Sequence, residues 1–173
     1  SAACIGPDPD GNVSCSGSFP NGIYFPNPAG DEFNLTIGDN PNEATTIGIG
    51  TLPDGFGGHG VTVTTLAGDH PDISIITNND VQINTVGVGG NDGIAVLTNG
   101  DNGIVIDNSA SIQANRFGIS AFSLGGSNIE VINRVDLETN STSLIAGSES
   151  GEVRINNEGN LTSTSGSGIS IHQ

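Results

Sequence analysis

The chain has 173 residues, with 27 Gly, no Met or Trp and a single Tyr, too few bulky side chains for a large globular core. Lys and Arg number 3 against 19 Asp and Glu, a formal charge of −16, which repels nucleic acid and anionic membranes. No apolar run approaches the roughly 20 residues of a membrane helix, so neither nucleic-acid binding nor membrane insertion by this segment is expected.

In chain order, "SAAC" suits a mature N-terminus after export. Cys4 and Cys15 stand 11 positions apart in the loop-rich "CIGPDPDGNVSC", a spacing that predicts a disulfide and an oxidising compartment. The pinned segment 1–20 is expected to cap the first exposed edge of the repeat region downstream. Asp8, Asp10 and Asn12 in "DPDGN" are spaced like the first ligands of a calcium loop, but the glycine that should come next and the distal Glu are absent, so the reading is a solvated turn.

Residues 21–173 read as one repeating unit. "GIYF" at 22 and "FNLTI" at 33 form a first, irregular rung, and "GVTV" at 60 and "ISIITNNDV" at 73 match "GIAV" at 93 and "IVIDNSASI" at 104. The extra residues fall in "TLAGDHPD" and "VGVGGND". Inserted loops of a solenoid gather on one side and serve binding, which makes Asp69, His70, Asp72, Asn91 and Asp92 candidate binding-loop residues. A metal or acid–base role for "GDHPD" competes with a plain polar turn. "GGNDGIAV" resembles a calcium-binding nonapeptide but misplaces its second glycine and Asp, so turn chemistry is favoured; no cofactor is expected, calcium being the one candidate.

From residue 93 the period is regular. Ile94, Ile119, Leu144 and Ile169 recur at steps of 25, as do Val96, Ala121, Ala146 and Ile171. Ile104, Ile129 and Val153 mark a second alternating strand, as do Ile106, Val131 and Ile155; Ile112, Leu137 and Leu161 close the unit. Alternation marks strands and the period marks stacking: an all-β, right-handed parallel β-helix with rungs of about 25 residues at roughly 4.8 Å spacing. By parity Asn108, Asn133 and Asn157 point inward, where stacked amides satisfy one another as an asparagine ladder. Outward, Glu130 faces Arg154 and Arg134 faces Glu158 on adjacent rungs. The last phrase, "GISIHQ", reads as the first strand of an incomplete rung, a fragment of a longer solenoid or a processed subunit, whose Ile169 and Ile171 form an association edge.

The N-terminal "C…GNVSCSGSFPNGI" with its succeeding phrases of the form "GI…G…I.V.N.G.I" resembles the start of an autotransporter (type V secretion) passenger of alphaproteobacterial style. The resemblance spans nearly the whole chain and carries no catalytic motif. It implies export, display at the outer membrane and a role as an adhesin, with host or neighbouring cell surfaces, or copies of itself, as partners. The expected function is therefore non-catalytic: an extracellular β-helix acting in adhesion or self-association, filament formation included. The alternative is a fragment of a polysaccharide-processing β-helix enzyme or phage tail spike. Such an enzyme needs carboxylates clustered across rungs, whereas the equivalent outward positions are mixed: Val105, Glu130 and Arg154; Asp107, Ile132 and Asn156; Ser111, Asp136 and Asn160.

Overall fold

The computed structural model describes residues 2–50, 58–87 and 89–173. Ser1 of the expected cap and Val88 of the "VGVGGND" insert lie outside them. Short alternating runs rich in Ile, Val and Thr make strands, and glycine and asparagine turns stop each after a few residues.

Strand β1 (Ala3–Ile5) precedes six turns of three strands. The first holds β2 (Asn12–Ser16), β3 (Ser18–Phe19) and β4 (Ile23–Pro26). The second holds β5 (Glu32–Ile37), β6 (Thr45–Ile47) and β7 (Val61–Thr65), and the third β8 (Asp72–Thr77), β9 (Val81–Thr85) and β10 (Ile94–Thr98). The fourth has β11 (Ile104–Asn108), β12 (Ser111–Ala114) and β13 (Ile119–Ser123). The fifth has β14 (Ile129–Asn133), β15 (Leu137–Thr139) and β16 (Leu144–Ser148), and the sixth β17 (Val153–Asn157), β18 (Leu161–Ser163) and β19 (Ile169–His172). Equivalent strands form three sheets, here A (β1-β2-β5-β8-β11-β14-β17), B (β3-β6-β9-β12-β15-β18) and C (β4-β7-β10-β13-β16-β19). Every pairing is parallel except β1 with β2. The fold is a parallel β-helix.

The expected register holds strand by strand. Ile94 pairs with Ile119, Ile119 with Leu144, and Leu144 with Ile169, and the column continues upstream through Val61 to Ile23. Ile104, Ile106, Ile112, Ile119, Ile129 and Val131 are all buried. Glycine recurs just before the sheet C strands because a side chain there would strike the next turn: a Cβ on Gly60 would lie 2.7 Å from the Gly93 carbonyl oxygen, and one on Gly93 2.6 Å from that of Gly118.

The N-terminal segment is shorter as a cap than expected. The cap does not extend to residue 20, because β2 and β3 already pair in parallel with β5 and β6. Among the described strands only β1 is foreign to the helix, running antiparallel along the outer edge of β2 with Cys4 opposite Cys15 and disulfide-bonded to it. Counted from β2, Ile169–His172 is the third strand of the sixth turn; counted from a sheet C strand, it opens a turn.

Candidate functional site

The three corners of the coil decide what the surface presents. Two of them are lined inside by a polar column, because strand ends carry the backbone groups that no ladder satisfies. Where sheet A meets sheet B, Thr77 donates to Asn108 Oδ1 (2.7 Å), Asn108 Nδ2 to Asn133 Oδ1 (2.9 Å) and Asn133 Nδ2 to Asn157 Oδ1 (2.7 Å). Each amide also donates to a turn carbonyl two residues on, those of Ala110, Val135 and Gly159. The column of Thr65, Thr98, Ser123 and Ser148 ends the sheet C strands. There Ser123 Oγ donates to Gly100 O and accepts from Gly125 N and Ser127 N. These columns lock successive turns in register.

The corner between sheets B and C holds the most concentrated chemistry. Asn91 and Asp92 end the insert between β9 and β10, and they are not presented to solvent as binding-loop residues: Asn91 is 2 % and Asp92 1 % exposed. Asp92 accepts from Arg116 Nε (2.7 Å) and Nη2 (2.9 Å), from Ser120 Oγ (2.8 Å) and from Phe117 N (3.3 Å). Its own N–H donates to His59 Nδ1 (3.0 Å). Bidentate pairing raises the Arg116 pKa above its ordinary value, and the guanidinium lies 4.7 Å from the Phe117 ring centre, within cation–π range. Asn91 Oδ1 accepts from Gly58 N. The cluster thus ties residues of three successive turns together.

The other candidates occupy turns. Asp69 Oδ2 accepts from Gly30 N (3.1 Å) and Asp72 Oδ1 from Gly103 N (2.8 Å); both are exposed, as is His70. They brace the corner between sheets C and A without converging on a common point. Asp8 accepts from Asp10 N, Asn12 N and Asn12 Nδ2, which holds its carboxyl below the usual carboxylate range, the Asn12 side chain first. That is the bonding of a self-contained turn. Among the described residues no three His, Cys, Asp or Glu side chains gather around one point. Arg134 bridges Asp107 (2.8 Å) and Glu158 (3.2 Å), and Arg154 stands opposite Glu130 on the neighbouring turn, as expected, while forming its ion pair with Glu152 (2.9 Å). All three arginines are therefore engaged within the protein.

No family model matches the chain, and neither does any curated protein or solved structure. Two surfaces distinguish the ends of the stack. At the first turn, Ile23 N and Asn27 N donate to Gly60 O and Thr64 O, so Tyr24 and Pro26 face the outer edge, where Pro26 has no N–H to offer. With β1 over β2 and β3 only two residues long, that edge is blunted in all three sheets. At the sixth turn, Ile169 is 43 % and Ile171 48 % exposed, while their column neighbours Leu144 and Ala146 are fully buried.

Proposed function

We propose that this chain is a non-catalytic extracellular β-helix of the autotransporter-passenger kind, acting in adhesion or self-association. The disulfide is compatible with a non-cytoplasmic protein, and the strongly acidic surface suits a partner that is neither nucleic acid nor an anionic membrane. The observation that carries the reading is the edge formed by β17, β18 and β19. There an apolar cross-section containing Ile169 and Ile171 lies beside unpaired strand groups, the pattern of a surface that receives another strand layer, from the same chain or from a second copy.

Sedimentation velocity over a concentration series tests it, comparing the chain with the double variant Ile169→Asp/Ile171→Asp. Concentration-dependent association in the wild type and its loss in the variant are expected. A compact monomer at every concentration would remove self-association and leave adhesion, which binding of the purified chain to cell surfaces addresses.

A further inference from the structure

Independently of that reading, we propose that the corner between sheets A and B in the second and third turns binds a divalent cation, with Ca²⁺ the best fit. Asp80 is the decisive residue. Both of its carboxylate oxygens are buried, each with under 1 Å² of accessible surface, and neither has a hydrogen-bond partner. A carboxylate out of water with no donor is costly. Asp8 and Asp92, the aspartates of the two calcium-like sequence phrases, differ sharply, since each accepts several hydrogen bonds.

None of the donors around Asp80 bonds to its carboxylate oxygens. It lines an open depression with Gly38, Asp39, Asn78, Asn79 and Ser109. Asn78 spends its Nδ2–H on Gly38 O (2.9 Å), which leaves its amide oxygen available. Asp39 Oδ2 accepts from Ser14 Oγ (3.0 Å), which leaves its Oδ1. No arginine pairs with either acid, because all three are engaged elsewhere. Gly38, at φ +83°, closes the site from one side: a Cβ there would lie 2.6 Å from Asp80 Oδ1.

Carboxylate, amide and hydroxyl oxygens with solvent on the open side are the ligand set of a hard cation. Ca²⁺ tolerates such irregular geometry, whereas Mg²⁺ demands a near-ideal octahedron. Two carboxylates instead of three or four set a weak site, with a Kd of about 10⁻⁴–10⁻³ M, typical of extracellular modules. The net charge of −16 raises the local cation concentration further.

Thermal unfolding and isothermal titration with CaCl₂ test the proposal, with MgCl₂ at matched ionic strength as the control for charge screening. For the wild type, one Ca²⁺ per chain and a Tm rise of about 3–11 °C at ~10 mM CaCl₂ are expected, with a smaller rise in MgCl₂. Asp80→Asn should abolish the calcium-specific rise while unfolding at or above the wild-type Tm without calcium, because it no longer buries an unpaired charge. Asp39→Asn, at the rim, should weaken binding several-fold, and it serves if Asp80→Asn does not fold. Equal rises in CaCl₂ and MgCl₂, no saturable binding, or calcium binding unchanged in Asp80→Asn or Asp39→Asn would overturn it.

Discussion

Replacing Arg116 with Ala isolates the role of the buried polar cluster. The substitution removes two charge-assisted bonds to Asp92, at 2.7 and 2.9 Å, and the contact with the Phe117 ring. Breaking a buried pair costs roughly 3–5 kcal/mol because the surviving charge stays buried, and Asp92 is almost fully so. The low end applies, since Arg116 itself is 42 % exposed, water can enter the space it leaves, and Ser120 Oγ and Phe117 N still donate to the carboxylate. About 3 kcal/mol corresponds to a Tm loss of about 6–12 °C for a chain of this size. Asp92→Asn should cost less, about 1–2 kcal/mol, because it removes the charge along with the pairing. Calorimetry gives the ordering, and hydrogen exchange locates it: protection should fall first at the amides of Gly93 and Ile94, which bond to Phe117 O and Gly118 O. If Arg116→Ala unfolds within about 0.5 kcal/mol of the wild type, the range of an ordinary surface change, or if Asp92→Asn is the more damaging of the two, the cluster is not what joins these turns.

Asn133→Ala should cost about 2–4 kcal/mol in chemical denaturation, since it orphans one group on each of Asn108 and Asn157 and leaves a gap. The same change at exposed Asn156 should be nearly silent. Thiol titration of the folded chain should find no free cysteine, and reduction should cost about 2–3 kcal/mol by the loop-entropy estimate, with lost exchange protection confined to β1 and β2. The Asp8 carboxyl, with its pKa lowered in the folded chain, stabilises its turn at pH above the ordinary carboxylate value, and this contribution disappears as pH falls through the lowered one. Acid titration monitored by NMR should therefore show the Asp10 and Asn12 amides loosening before the strands of the middle turns do.

The columns were legible because period and parity are both properties of the sequence: a step of 25 places Ile94 on Ile119, and alternation turns Asn108 inward beside Ile106. The phase was not legible, since a repeat looks the same from any starting strand. The first turn also lacks the period, with β4 and β7 separated by a step of 38 from Ile23 to Val61. The Asp92 cluster was within reach. Arg116 lies 24 positions after Asp92, the separation that paired Arg134 with Glu158, but the insert "VGVGGND" suggested a displayed loop, and nothing in a turn's composition says that its acid folds back under an arginine. The parity argument placed Glu130 opposite Arg154, but it gave no sign of the ion pair with Glu152, which lies just before the same strand. The isolation of Asp80 was invisible, for "TNND" is an ordinary turn phrase and the absence of donors depends on how the Gly38 turn packs over it.

A stack with one blunted edge lengthens in one direction alone. The first-turn face is obstructed by an antiparallel strand, by a proline turned outward on β4 and by a two-residue β3. A further strand layer in register with the described turns therefore joins beyond the sixth turn, whether it belongs to the same chain or to another copy.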